Sequence, residues 1–174
     1  MADSPANERP RFFPGKLLTT EDLAQEQHYV REKQKLHNRT LHGFGVVSGL
    51  RVSSQSGEIT VSPGIALDCE GNEIVIEVPQ TLCPPAQSGS GVYLSIRFTE
   101  ECIRPVTTAS GAEASAIKES FELLVTADNR NTRHRHARGR WLACGKSHAL
   151  TLALLRPNAR GWRVDRSYRA PSVK

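Results

Sequence analysis

The chain has 174 residues, of which 38% are hydrophobic, and its net charge at neutral pH is +5. These values are typical of one folded domain and exclude a globally disordered chain. No stretch approaches the roughly 18 apolar residues of a membrane span. The opening residues MADSPANERPRFF also lack the apolar region of a signal peptide. We therefore expect the chain to be synthesised and assembled in the cytoplasm. Later release of the chain as part of a larger particle is compatible with this expectation.

The charge is unevenly distributed along the chain. Residues 129–174 carry 12 Lys and Arg against a single acid, Asp165, which gives +11. Residues 1–128 carry 11 Lys and Arg against 17 acids, which gives −6. This polarity indicates a face that meets an acidic partner, or head-to-tail contacts between copies of the chain.

The first predicted element is a long helix that follows a flexible N-terminal segment. Residues 1–18 are predicted to be flexible, with an aromatic turn at Phe12-Phe13-Pro14-Gly15. Thr19 is the predicted N-cap, and acidic residues in the first turn complement the helix dipole. The helical arm is expected over residues 19–42, where Gly43 ends it.

The apolar pattern of this helix leaves two interpretations open. Leu23, Val30 and His37 recur every seven residues, but the alternate positions of the repeat include Gln27 and Gln34. Such a seam is too polar for a coiled coil that is stable by itself. The helix either lies across a sheet through Leu23, Val30 and Leu41, or packs a second face, including the neighbouring stripe of Tyr29 and Leu36, against another subunit.

Beyond Gly43 the pattern changes to short strands separated by turns. Residues 43–78 alternate apolar and polar side chains between turns at 62–64 and 70–72, and further strands are predicted near 92–98, 121–127, 148–157 and 161–169. Residues 99–118 are expected to be an irregular loop with a helical turn, and residues 127–147 a long basic loop. The fold class is therefore α+β and mainly β: an antiparallel sandwich or barrel of seven or eight strands, residues 43–174, with one N-terminal helical arm.

The sequence offers few candidates for catalysis, and we predict a protein that is not an enzyme and needs no cofactor. Phosphate-binding, nucleophile-elbow, metalloprotease and dinucleotide motifs are all missing. Asp68, Glu70 and Glu73 surround a turn that could bind a cation or could be a solvated hairpin. His37 and His42 are five residues apart and are expected to be structural. The last candidate is Cys69, which could act as a nucleophile only beside a histidine.

The four cysteines are Cys69, Cys83, Cys102 and Cys144, and none forms a CxxC pair. We expect four reduced and mostly buried side chains. A zinc site that recruits His134 or His136 and a set of disulfides remain the alternatives.

The basic loop contains the densest cluster of cationic side chains. Such a cluster can contact an acidic protein, bind nucleic acid or an anionic glycan, or remain a solvated loop. An accompanying nucleic-acid-binding motif is missing, so we consider a protein partner first and nucleic acid second. The cluster comprises Arg130, Arg133, Arg135, Arg138 and Arg140, with His134, His136 and Trp141.

Residues 11–78 resemble proteins encoded in bacterial phage-tail-like gene clusters. The resemblance is carried by four segments: FPGKLLTTED at Phe13–Asp22, EQHY at Glu26–Tyr29, NRTLHGFGVVSGL at Asn38–Leu50 and VSPGIALD at Val61–Asp68. It continues more loosely through YLSIRFTEECIRPV and IKESFELLV. The layout is also similar to the N-terminal domains of phage tail fibres, which attach fibres near a baseplate.

The resemblance implies a structural or adaptor subunit of a contractile, phage-tail-like injection particle. It implies no catalytic residue, and its expected partners are other subunits of the particle and further copies of the chain, a trimer among the options. We predict partner contacts at Phe12, Phe13, Leu23, Tyr29, Val30 and Leu36 and in the basic cluster of Arg130, Arg133, Arg135, Arg138, Arg140 and Trp141. The predicted junction of helix and sheet is Leu41, His42, Gly43, Phe44, Gly45 and Gly49.

Overall fold

The computed structural model describes residues 8–55, 57–83, 91–129, 148–159 and 161–173. The helix α1 occupies Thr20–His37 and continues as a π-helical turn at Asn38–His42. The strands within the described residues are β1 (Gly45–Gly49), β2 (Val52–Gln55), β3 (Glu58–Val61), β4 (Gly64–Leu67), β5 (Glu73–Ile76), β6 (Gln80–Leu82), β7 (Val92–Thr108), β8 (Gly111–Thr126), β9 (Leu150–Asn158) and β10 (Gly161–Val164).

Within the described residues, these strands form three antiparallel sheets. Their strand orders are β1-β4-β5, β2-β3-β6 and β10-β9-β7-β8, so each sheet has two outermost strands rather than a closed ring. The predicted class, α+β and mainly β with an N-terminal helix, is confirmed. Of the two predicted β architectures, the open sheets exclude the closed barrel.

The three sheets share one hydrophobic core. Its fully buried members come from every sheet, among them Ile59 and Val61 of β3, Ile74 of β5, and Leu94 of β7. In β5 the buried isoleucines alternate with exposed residues, as the sequence pattern predicts for a strand with one face on the core. β9 is buried on both faces from Leu150 to Leu155.

The segment predicted to be an irregular loop is instead the middle of a long hairpin. β7 and β8 pair as one antiparallel ladder in a constant register from Tyr93↔Thr126 to Thr108↔Gly111. The prediction of a loop over residues 99–118 was therefore wrong. Most side chains beyond Thr99 are exposed on both faces of the hairpin, so the sequence there lacks the clean alternation of a half-buried strand.

The start of α1 follows the predicted capping pattern. The Thr19 hydroxyl accepts a hydrogen bond from the Asp22 backbone N–H at 3.2 Å, and the Asp22 carboxylate accepts one from the Thr19 N–H at 3.3 Å. This reciprocal arrangement is a capping box, which pairs two N–H groups that a helix leaves without internal partners.

A short C-terminal segment covers the outer edge of β1. Val46 donates a backbone hydrogen bond to the Pro171 carbonyl at 2.8 Å and accepts one from the Val173 N–H at 3.2 Å. The two segments run parallel. A side chain at Gly45 would place its Cβ 2.7 Å from the Pro171 carbonyl oxygen, so glycine is needed for this close approach.

The turn after β10 is organised by one carboxylate. The Asp165 Oδ1 atom accepts hydrogen bonds from the Ser167 hydroxyl at 2.7 Å and the Ser167 N–H at 3.0 Å, and its Oδ2 accepts one from Arg156 Nε at 3.0 Å. These bonds, led by the one from the Ser167 hydroxyl, lower the pKa of Asp165 from 3.8 to about 2. The charged form is thus favoured in the folded state.

We predict that Asp165→Asn lowers the melting temperature at pH 6 and that the difference from the parent chain shrinks as the pH falls from about 4 to about 2. The reason is that a carboxylate whose pKa is depressed on folding contributes stability above its unfolded pKa, and this contribution is lost as pH falls through the folded pKa. Thermal unfolding followed by circular dichroism measures the effect.

Glu58→Gln is the matched control, because the Glu58 side chain is exposed and makes no hydrogen bond or ion pair with the described residues. The melting temperature of Glu58→Gln should match that of the parent chain at pH 6 and at pH 2. A constant difference between Asp165→Asn and the parent from pH 6 to pH 2 would contradict the prediction.

Candidate assembly interface

The helix α1 is exposed along its whole length. None of its residues from Thr20 to His37 is buried. Leu23 is 54% exposed and Val30 52% exposed, and Leu41 in the π-helical turn is 67% exposed. The interpretation that these three residues pack the helix across a sheet is therefore wrong. Tyr29 and Leu36, on the neighbouring stripe, are half-buried.

Polar contacts attach the C-terminal half of the helix to the β domain. The buried Asn38 amide donates from Nδ2 to the Gly71 carbonyl at 3.0 Å and to Glu73 Oε1 at 3.2 Å. Gln34 Nε2 donates to the same Glu73 oxygen at 2.8 Å. Arg39 adds a bond from its guanidinium to the Glu70 carbonyl at 3.3 Å. The helix is held by side-chain amides and a guanidinium rather than by an apolar stripe.

Gly71 allows the helix and the β4–β5 turn to touch backbone to backbone. It has a φ of +91°, and a Cβ there would lie 2.2 Å from the Lys35 carbonyl oxygen and 2.8 Å from the Lys35 Cα. Both the conformation and the contact exclude any other residue without movement of the helix. The β4–β5 turn around Gly71 therefore supports the helix directly, and we call it the helix seat.

A buried aspartate shapes this seat. Asp68 accepts hydrogen bonds from the N–H groups of Glu70 and Asn72, both at 2.9 Å, and from Asn72 Nδ2 at 2.8 Å. The turn is thus neither a solvated hairpin nor, within the described ranges, part of a group of three potential metal ligands. The Asp68 carboxylate orders the backbone that receives Asn38.

An ion pair joins the middle of the helix to the long hairpin. Arg31 lies 2.5 Å from Glu100 of β7. Glu100 is directly opposite Glu119 of β8, and like charges in that position repel. Arg31 places a cation beside this pair, at the rim of a cleft of about 140 Å³ that α1, the β4–β5 turn and the hairpin enclose.

The segment before the helix folds back along its N-terminal half. The Arg9 guanidinium lies 5.9 Å from the centre of the Tyr29 ring, and Lys33 lies 5.5 Å from the same ring. Lys16 forms an ion pair with Asp22 at 2.7 Å, and this hydrogen bond lowers the pKa of Asp22. Phe12 and Phe13 remain 49% and 57% exposed beside this segment. Together with Leu17, Leu18 and Leu23 they form what we call the apolar arm.

The remaining predicted residues are distributed as follows. His42 and Gly43 end the π-helical turn, and the His37 and His42 rings lie 5.2 Å apart. Phe44 packs against the core. Gly45 and Gly49 begin and end β1.

The cysteine prediction is wrong in part, because Cys69 is buried but Cys83 and Cys102 are exposed. The hairpin explains the exposure of Cys102, which the sequence placed in a loop. Cys144 and the whole basic cluster from Arg130 to Trp141, with Arg133, Arg135, Arg138 and Arg140, lie outside the described residues.

Sequence reasoning missed the residues that hold the helix in place. Asn38, Gly71 and Arg31 were not singled out, although Gly71 was placed in a turn. The available signal was Asn38 itself, a polar residue five positions before Gly43, the glycine that ends the helix. Exposure to water alone would not favour an amide side chain at that position. Its partner across the β4–β5 turn is 33 residues away and cannot be identified from spacing alone.

Comparison with solved structures finds the same fold in baseplate proteins. The chain matches a chain of the baseplate complex from the type VI secretion system with a TM-score of 0.56 at 14% identity, over 94% of this chain and 59% of that one. It matches a crystal structure of TssK with a TM-score of 0.53 at 12% identity, over 95% and 42%. It matches a chain of the TssK-TssF-TssG baseplate subcomplex with a TM-score of 0.57 at 16% identity, over 95% and 62%.

At these identities the comparison establishes a shared fold. The chain spans between about two fifths and three fifths of the length of the chains that it matches. No protein-family model matches the sequence, and no curated protein matches it either. Within the described residues, no helix is both long enough and apolar enough to cross a membrane.

We predict that Gly71→Ala destabilises the chain more than Gly15→Ala does. Both glycines have a positive φ near 90°, but a Cβ at Gly15 has no atom within 4 Å. The control should therefore cost only the backbone strain of about 1–2 kcal/mol, whereas Gly71→Ala adds an overlap worth roughly 1–3 kcal/mol. Urea unfolding gives both free energies.

Hydrogen exchange locates the damage. In Gly71→Ala the amides of Gln34 to Asn38 should exchange faster than in Gly15→Ala, because the helix can no longer rest on the turn. Equal destabilisation by the two substitutions would contradict the role of Gly71 as the seat of the helix.

Proposed function

We propose that the chain is a non-enzymatic structural subunit of the baseplate of a contractile, phage-tail-like injection particle. The observation that carries this proposal is the match of about 95% of the chain to baseplate proteins of the type VI secretion system. The resemblance of residues 11–78 to proteins of phage-tail-like gene clusters points independently to the same class of assembly.

The exposed helix and apolar arm supply the surface for such a role. Five large apolar side chains between Phe12 and Leu23 are each about half exposed or more, and Val30 lies about two helical turns beyond Leu23 and is also half exposed. A concentration of exposed apolar residues on a soluble domain is typical of a protein interface. The Lys16–Asp22 ion pair and the capping box fix the start of the helix, so the arm is presented in a defined direction.

The attachment of the helix to the β domain also fits a subunit that uses the helix for contacts with neighbours. The contacts of Asn38 and Gly71 fix the helix to the β domain without using its apolar residues, which leaves those residues available for neighbours. Within the particle, the chain acts as an adaptor at the periphery of the baseplate or as an anchor for a fibre. Its copies associate with one another, and the basic cluster from Arg130 to Arg140 meets an acidic neighbour.

We predict that Leu23→Asp combined with Val30→Asp removes the chain from assembled particles without unfolding it. Both side chains are half exposed and no residue of the helix is buried, so the free energy of unfolding should change by less than about 1 kcal/mol. A carboxylate at each site would, however, be desolvated at an interface. Affinity-tagged chains are compared in purified particles by quantitative mass spectrometry, and the free chain by urea unfolding.

Val47→Asp is the matched control, since Val47 is 47% exposed but lies on β1 rather than on the helix. It should enter particles at the parent level. Normal incorporation of the double variant would exclude the helix as the interface. Absence of the parent chain from particles whose sheath, tube and baseplate proteins are present would refute the proposed function itself.

A further inference from the structure

The two long edges of the β7–β8 hairpin differ in how they are protected. Beyond Ile96, where its pairing with β9 ends, β7 has a free edge that is interrupted by Arg104, with a φ of +56°, and by Pro105, which cannot donate a hydrogen bond. Such interruptions prevent another strand from adding to an edge. From Ala112 to Thr126, β8 contains neither a proline nor a positive φ. Within the described residues, its outer edge is therefore regular and has no paired strand.

The opposite edge of the same sheet is covered. β10 is the outermost strand on that side, and it lies against β2, where the Ser54 hydroxyl donates to the Trp162 carbonyl. β8 is the outermost strand on the other side and ends the sheet. Among the described strands of this sheet, β8 is thus the one that offers a long, regular edge.

The faces of β8 determine what chemistry an added strand would need. Side chains alternate along a strand, so one face presents Glu113, Ser115, Ile117 and Glu119, and the other presents Ala112, Ala114, Ala116 and Lys118. Ile117 is 60% exposed between the two glutamates. Neither glutamate has an ion-pair partner among the described residues.

The surroundings of β8 add further negative charge. Beside Lys118–Phe121, a cleft of about 370 Å³ separates β8 from β5, and its opposite wall includes Glu73, Glu77 and two exposed valines, Val75 and Val78. Acidic side chains outnumber the single lysine there. An incoming strand is therefore favoured when it carries basic residues opposite Glu113 and Glu119 and an apolar residue opposite Ile117.

A second copy of β8 does not meet this requirement. Two identical antiparallel strands related by a two-fold axis place residues of the same face opposite each other. The face that carries Glu113 and Glu119 offers only Ser115 and Ile117 besides, whereas Lys118 lies on the other face. In such a dimer the second copy of β8 would place no cation opposite either glutamate.

We infer that the outer edge of β8, from Ala112 to Glu119, binds an extended basic segment of a different protein by strand addition. Main-chain hydrogen bonds to β8 provide affinity, and lysine or arginine opposite Glu113 and Glu119 provides selectivity. The small side chains of Ala112, Ala114 and Ala116 leave room for bulky partner residues on the other face. Only the Glu119 end of this surface lies beside the helix, and its binding does not depend on membership of a secretion particle.

The test uses a synthetic peptide with the sequence Thr-Lys-Thr-Val-Thr-Val-Thr-Lys-Thr. Its lysines have the spacing of Glu113 and Glu119, and its valines face Ser115 and Ile117. Binding of the fluorescently labelled peptide to the full chain is measured by anisotropy, beside a peptide with glutamate in place of both lysines. A third peptide has N-methyl groups at alternate residues, so that it keeps its charge but cannot complete a ladder.

We expect the lysine peptide to bind at least tenfold more tightly than either control peptide and to slow hydrogen exchange at alternate amides of β8. Glu113→Lys combined with Glu119→Lys should reverse the preference toward the glutamate peptide. Glu21→Lys combined with Glu58→Lys changes the net charge equally, away from β8, and should retain the parent preference.

Three results would overturn the inference. Equal affinity for the lysine and N-methylated peptides would show attraction by charge without strand addition. Unchanged exchange of the β8 amides would place the peptide elsewhere. A dimer of the chain alone with protected β8 amides would identify a second copy as the occupant. None of these outcomes bears on incorporation into particles, so the two proposals can fail separately.

Discussion

The contact between the Lys35 backbone and Gly71 is the constraint on which the rest of the arrangement depends. A helix normally attaches to a sheet by burying an apolar stripe, and its direction then follows from how side chains interdigitate. Here the backbones of helix and turn touch directly, and the Asn38 amide pairs with the carbonyl of the same glycine. Backbone contacts permit less adjustment than side-chain contacts, so the direction of the helix is set by a few atoms.

This mode of attachment separates the two tasks of the helix. Polar residues in its C-terminal half hold it to the β domain, whereas the apolar residues of its N-terminal half remain exposed. In a solitary protein, that distribution would leave apolar surface in water without benefit. In the assembly that we propose, the two ends of the helix would have different partners.

The sequence predicted those parts of the structure that depend on local chemistry. Thr19 and Asp22 identified the helix start, and the alternation around Ile74 and Ile76 identified a half-buried strand. The hairpin beyond Thr99 was missed because both of its faces are exposed, which removes the periodicity that marks a strand. The helix seat was missed for another reason. Asn38 and Gly71 come together only in the folded chain, and neither residue type by itself indicates a long-range contact. The unpaired edge of β8 could not be predicted from the sequence either, because it depends on which strands pair with β8 in the folded chain.

The length of the β7–β8 hairpin also sets the reach of the molecule. Between Ile96, its last pairing with β9, and the turn after Thr108, β7 advances twelve residues, or about 40 Å at roughly 3.3 Å per residue. A compact chain of this size has a radius of gyration of only about 16 Å. Such a radius corresponds to a globule roughly 40 Å across, so the hairpin is about as long as a compact chain of this size is wide. It therefore extends the surface that the chain can present to a neighbour well beyond the part that packs around the core.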